Sequence, residues 1–144
     1  MEPIKKSFDG GFSEDIYFNT DYEKEFIEEK GFDEWTKYRK DWEQYCKLEK
    51  ESDHPPHLEL ELNYSCNLRC PMCTWSVETT AEKKEEWFTF EDYKKIIDEA
   101  VSIGTKSIRL TYINEPLIRQ DIDQFIKYAI DAGIIDVIIT TNGT

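Results

Sequence analysis

Leu58-Glu59-Leu60-Glu61-Leu62 alternates apolar and acidic side chains without a break, the pattern of a β-strand with two unlike faces. His54-Pro55-Pro56 stands before it and closes any helix upstream, because proline restricts both itself and its predecessor. Directly after it runs Asn63-Tyr64-Ser65-Cys66-Asn67-Leu68-Arg69-Cys70-Pro71-Met72-Cys73. Three cysteines therefore fall on the loop that leaves the strand at its C-terminal end. Residues 76–87 are polar and charged and read as a loop or an irregular extension. Thr89 is placed to cap a helix beginning near Phe90, with Asp92 in its first turn. Tyr93, Ile96, Ile97, Ala100, Val101 and Ile103 keep helical spacing, and Gly104 supplies the stop. Ser107–Tyr112 reads as a second strand. Asp121, with Gln124 three residues on, reads as the cap of a further helix whose core face is Ile122, Phe125, Ile126, Ala129 and Ile130. Gly133 ends it. Asp136–Thr141 is a nearly continuous β-branched run, expected to be a third strand buried on both faces.

Strand, helix, strand, helix, strand is the order of an α/β fold with a parallel sheet and right-handed crossovers. Ligand sites in such folds gather at the C-terminal ends of the strands. Three features fall there: the cysteines, Asn114-Glu115-Pro116, and Thr141-Asn142-Gly143. Upstream, residues 1–20 offer little periodic pattern. From Asp21 to about Glu51 charged residues alternate with aromatics, and Phe32, Trp35, Tyr38, Trp42, Tyr45 and Leu48 mark one face of a helix. That face reads as a packing surface, with an aromatic binding platform as the alternative. The expected division is a helical extension over 1–52 and the α/β part over 53–144. Three parallel strands with two helices cover one face of a sheet only, so the chain is expected to be the N-terminal portion of a longer protein or a truncated product.

The chain has 144 residues, a length that suits one compact domain. Its formal net charge of −13 repels phosphate backbones, so binding along nucleic acid is not expected. No window approaches the run of about 20 apolar residues that crosses a bilayer. Met1-Glu2-Pro3-Ile4-Lys5-Lys6 lacks the apolar stretch of a signal peptide, so no membrane partner and a cytoplasmic location are the expectation.

Cysteines this close in a loop make poor disulfide partners, and in a reducing compartment such clustering signals metal. Iron–sulfur clusters take cysteine thiolates, ordinarily four. A loop offering only Cys66, Cys70 and Cys73 leaves one iron open to a small ligand, the feature that turns an electron carrier into a catalyst. Two alternatives stay open: a structural zinc completed by His54 or His57, and a simple electron-transfer cluster. Cys46 stands apart in a helical stretch and reads as an ordinary thiol.

Cys66-x3-Cys70-x2-Cys73 after a first strand resembles the signature of the radical S-adenosylmethionine (radical SAM) superfamily. The segment from Asn63 to Cys73 is similar to its sulfatase-maturing, peptide-modifying (SPASM-type) branch. The resemblance covers about residues 57–144 and implies the first three β/α units of a partial (β/α)6 barrel. It implies a [4Fe–4S] cluster ligated by Cys66, Cys70 and Cys73. S-adenosyl-L-methionine would chelate the unique iron, and its reductive cleavage would give a 5′-deoxyadenosyl radical that takes a hydrogen atom from the substrate. Met72 stands where the family usually has an aromatic residue near the adenine. Ile113-Asn114-Glu115-Pro116 stands where the family carries Gly-Gly-Glu-Pro, which places Asn114 and Glu115 at the cofactor's ammonium. Asn142 and Gly143 resemble the Thr-Asn-Gly after the third strand, although a turn needing Asn-Gly reads equally well. The resemblance further implies a low-potential donor of the flavodoxin or ferredoxin kind. It points to a peptide or protein substrate first, and to a sugar or other small molecule second. It does not single out a residue that reacts with the substrate.

Glu59 and Glu61 share a strand face and read as solvent-facing or paired carboxylates before catalytic ones, as do Arg109 and Thr111 on the second strand. Trp75 reads as packing or as a shield over the cysteine loop. Trp87 and Phe88 read as core anchors.

Overall fold

The computed structural model describes residues 32–77 and 87–144. The expected irregular lead-in over 1–20, the beginning of the helical stretch from Asp21, and most of the polar loop 76–87 lie outside the described residues. The chain divides into two compact units, residues 1–41 and 42–144. Helix α1 spans Phe32–Cys46, with the rings of Trp35 and Tyr38 5.4 Å apart. The aromatic stripe does not continue to Leu48. That residue has left the helix with φ 57 and is 91% exposed. Leu48 takes the left-handed position that glycine ordinarily fills, while its N–H bonds Tyr45 O and that of Glu49 bonds Gln44 O.

Strands β1 (His57–Glu59), β2 (Ser107–Arg109) and β3 (Asp136–Ile138) form a parallel sheet in the order β1-β2-β3. Leu58, Ile108 and Val137 lie in one row, and Glu59, Arg109 and Ile138 in the next. Each strand is shorter than its sequence pattern suggests. The last ladder bonds run from Leu60 N to Arg109 O and from Leu110 N to Ile138 O. Beyond them side chains replace carbonyls as acceptors: Glu61 Oε1 takes the N–H of Ile113, and Thr111 Oγ1 takes that of Thr140. β3 is half-buried along its length rather than buried on both faces, because among the described residues the helices that cover it pack on its core side.

Those helices are α3 (Phe90–Ile103) and α4 (Ile122–Ala132); a short α2 (Thr74–Val77) follows the cysteine loop. Tyr93 and Ile97 of α3 and Phe125 and Ala129 of α4 form one fully buried cluster with Leu62, Ile108 and Leu110. Alternation sends Glu59 and Arg109 to the opposite face, where they pair at 2.9 Å with both side chains partly exposed. Such a pair contributes at most about 1 kcal/mol. Thr89 caps α3 as expected, accepting the N–H of Asp92 at 3.1 Å. Gly104 ends it at φ 105, and a Cβ there would sit 3.1 Å from the His54 ring, so the turn and the packing both require glycine.

The expected cap of α4 is different. Asp121 occupies the cap position but makes no side-chain cap bond. Its two oxygens are drawn instead to Arg119, at 2.7 Å from Nε and 3.1 Å from Nη2. A charge-assisted two-point contact outcompetes a neutral N–H. The same guanidinium, buried within the fold, donates through Nη1 to Leu62 O at 2.9 Å and Phe88 O at 2.8 Å. It also lies 4.0 Å over the Phe125 ring. Arg119 thus joins the segment leaving β1, the approach to α3 and the start of α4. Arg119→Met is expected to cost about 3 kcal/mol, since it orphans two buried carbonyls and a carboxylate. Urea denaturation measures this, and a loss under about 1 kcal/mol would mean that water replaces the guanidinium at little cost.

Candidate functional site

The site is built where the three strands end. After Leu62 the chain forms the loop that carries Cys66, Cys70 and Cys73, all free thiols of intermediate exposure. The loop is folded by its own backbone and one arginine. Arg69 Nη1 donates to Cys66 O at 2.8 Å and Leu68 O at 2.9 Å. Cys73 N bonds Cys70 O, and Ser76 N bonds Cys73 O at the start of α2. Buried Trp75 anchors the far side, meeting Tyr64 edge-on at 4.8 Å and lying 5.3 Å below the Arg69 guanidinium. Leu68 N–H approaches Cys66 Sγ at 3.5 Å. Met72 is 86% exposed at the loop tip.

The exit of β2 docks against this loop. Glu115 N donates to Ser65 O at 2.9 Å. Asn114 is buried and its amide is spent inside the fold: Nδ2 donates to Asn63 Oδ1, and Oδ1 accepts from Tyr112 N, both at 3.0 Å. Asn63 in turn donates to Ser65 O and Glu115 O. Asn63 carries no recognisable motif, and only its position at the end of an alternating strand hints at this role.

Glu115 ties the second exit to the third. Its Oε1 accepts from Leu117 N at 3.0 Å and from the Thr141 hydroxyl at 2.7 Å, and its Oε2 accepts from Asn142 N at 2.8 Å. The first of these bonds makes Glu115 the cap of the 3₁₀ turn Pro116–Ile118. Burial pushes its carboxyl upward, but the bonds from Asn142, Thr141 and Leu117 outweigh it and hold the group below its ordinary value of 4.5. Asn142 closes the circuit: its Nδ2 donates to Asn67 Oδ1 at 2.9 Å and lies 4.0 Å from Cys66 Sγ. Asn67 also donates to Thr144. Gly143 turns the chain at φ 72. The structure therefore brings Cys66, Glu115 and Asn142 into one network and leaves Met72 on its exposed rim.

The histidines of the zinc alternative lie elsewhere. His57 Nδ1 is 2.8 Å from Ser107 Oγ, and its ring meets Trp42 edge-on at 5.4 Å. His54 pairs with Asp53. Among the described residues no three His, Cys, Asp or Glu side chains gather for one metal ion. A [4Fe–4S] cluster asks for a different arrangement, in which each thiolate binds its own iron. Three free thiols on one braced loop, with a backbone N–H directed at a sulfur, fit that group.

Residues 60–144 match the sequence model of the Radical SAM superfamily. The GTP 3',8-cyclase of Sulfurimonas denitrificans is 37% identical over 87 residues, covering 60% of this chain and 27% of that protein. The PqqA peptide cyclase of Bradyrhizobium diazoefficiens is 33% identical over 82 residues, covering 57% of this chain and 21% of that one. The crystal structure of BtrN in complex with AdoMet and 2-DOIA shares the fold. Its TM-score is 0.56 at 24% identity, over 65% of this chain and 38% of that chain. The chain thus spans about a quarter of the length of the cyclases it matches. No helix among the described residues is long and apolar enough to cross a membrane.

The depressed carboxyl of Glu115 has a signed consequence. A group whose pKa falls on folding stabilises the fold above its unfolded value and loses that contribution as pH drops through the folded value. Wild type is expected to exceed Glu115→Gln in stability near neutrality, and the gap should close as the pH falls below the ordinary carboxyl value of 4.5 and through the lowered folded one. Denaturant titrations at stepped pH read this, and a gap independent of pH would show that the charge of Glu115 plays no part.

Proposed function

The chain belongs to the radical SAM superfamily, and from that premise we propose that its three strand exits form the first half of a cofactor-binding rim. Superfamily members are enzymes that use a [4Fe–4S] cluster and S-adenosylmethionine. In this reading the sheet is the first three β/α units of a partial (β/α)6 barrel, preceded by a helical extension over residues 1–52. Cys66, Cys70 and Cys73 hold the cluster. Bound there, it would supply the electron that cleaves S-adenosylmethionine, leaving a radical able to take a hydrogen atom from a substrate. The observation that carries the proposal is the network joining the cysteine loop to Glu115 and Asn142.

Each residue then has a task. Arg69 and the turn at Cys70–Cys73 hold the loop open with its thiols unspent. Glu115 Oε2, which has one partner among the described residues, keeps a second acceptor position suited to an ammonium group. Asn114 serves through the backbone that its amide fixes. Asn142 contributes its amide at Cys66, and Met72 offers a polarizable apolar contact on the rim. The electron would come from a low-potential donor of the flavodoxin or ferredoxin kind, in a reducing, cytoplasmic setting.

For the substrate we keep peptide or protein modification of the SPASM type as the first reading. The likeness to a peptide cyclase and a net charge of −13, which disfavours polyanions, support it. A small-molecule substrate is the second reading, favoured by likeness to GTP 3',8-cyclases.

Anaerobic reconstitution of the full-length protein with iron and sulfide is expected to give a brown, iron-loaded protein. On reduction it should convert S-adenosylmethionine to 5′-deoxyadenosine and methionine. Cys66→Ala, Cys70→Ala and Cys73→Ala should each abolish that cleavage and lower the bound iron. A colourless protein holding one tightly bound zinc would overturn the proposal, and a cluster that cycles redox state without consuming the cofactor would reassign it to electron transfer.

A further inference from the structure

Glu61 lies at the end of β1, two residues beyond the last strand row, on the face away from the helical core. A half-buried carboxylate in that position needs hydrogen bonds to offset its lost hydration. It finds them on another strand's exit. Oε1 accepts the N–H of Ile113 at 3.1 Å, and the nearby N–H of Asn114 further favours its charged form. The Tyr112–Ile113 peptide group of the loop after β2 is thereby held by one side chain from just beyond β1.

The orientation of that peptide group follows from planarity. In a trans peptide the N–H and the preceding C=O point in opposite directions. Drawing the N–H of Ile113 toward Glu61 turns the carbonyl of Tyr112 away from it. Neither residue is glycine, so the loop has no left-handed freedom to undo this arrangement. Asn114 locks the same turn from within by accepting from Tyr112 N, and its neighbour Glu115 carries the acceptor already assigned to the cofactor.

We infer that Glu61 is a positioning residue for S-adenosylmethionine: by anchoring the N–H of Ile113, it presents the carbonyl of Tyr112 as an acceptor for the cofactor's ammonium. The inference rests on the radical SAM reading of the site. Glu61 touches neither the thiols nor the cofactor, and it acts through the loop.

The test is cofactor affinity of the full-length protein with its cluster reconstituted, measured by calorimetry beside the iron content. Glu61→Ala is expected to weaken S-adenosylmethionine binding about tenfold, the size of one lost hydrogen-bonding arrangement, with iron content unchanged. Glu61→Gln keeps an acceptor oxygen and should stay within about threefold of wild type. Amide exchange at Ile113 should quicken in the alanine variant and not in the glutamine variant. Wild-type affinity in Glu61→Ala would overturn the inference while leaving the functional reading intact. A wild-type protein that holds its cluster yet binds no S-adenosylmethionine would overturn both. Should Glu61→Ala not fold, Glu61→Asp shortens the reach by one methylene: binding about tenfold weaker supports the inference, and unchanged binding refutes it.

Discussion

The fold hangs on one buried cation. Arg119 reaches the carbonyl of Leu62 beyond β1, the carbonyl before the cap of α3 and the carboxylate at the start of α4, with the ring of Phe125 against its face. A guanidinium can do this because its donors diverge in a fixed plane and its faces tolerate an aromatic ring. A lysine would satisfy one of these partners at a time. The consequence for the site is direct, since Leu62 is the residue from which the cysteine loop departs. The loop starts from a point fixed in the core, and its geometry inherits that rigidity.

Above this anchor, carboxylates bind the rim together. Glu61 from β1 captures the loop after β2, and Glu115 on that loop captures the loop after β3. Asn142 on the third loop returns to Asn67 on the first. Parallel strands cannot join their exits through hairpins, because each connection runs back along a helix. Side-chain acceptors aimed at neighbouring backbone donors do the joining instead. They also take donors just past the ladder: the N–H of Ile113 goes to Glu61 and that of Thr140 to Thr111.

Much of this organisation can be read from residue order. The cap at Thr89 and the stops at Gly104 and Gly133 bound the helices correctly, because those signals act within a few residues of where they stand. The cysteine spacing and its place after a strand mark the site for the same reason. What could not be read depends on partners remote in sequence. Asp121 has the local form of a capping box, yet Arg119 takes its carboxylate. The alternation from Leu58 to Leu62 and the run from Asp136 to Thr141 promise longer strands, but Glu61 and Thr111 intercept the donors. Leu48 has the right phase for the aromatic stripe, and the helix turns just before it. Asn63, among the most buried polar residues, gives no signal because its value lies wholly in bonds to Ser65, Asn114 and Glu115.

The cysteine loop shows why such bracing matters for chemistry. A loop that must collapse around a cluster loses backbone entropy on binding, about 1 kcal/mol or more for each residue ordered. Here Arg69 already takes two loop carbonyls, Cys70 and Cys73 are joined through their backbone, and Trp75 is buried beside them. None of these contacts consumes a thiol. Much of the ordering is therefore achieved by groups that do not ligate, which leaves the sulfurs free to bind iron without competing with the fold. The same logic separates the two roles carboxylates play at this rim. Glu61 and Glu115 are satisfied mainly by the protein's own donors, so their first effect is on geometry, and any contact with a cofactor draws on acceptor capacity left over after the loops are held.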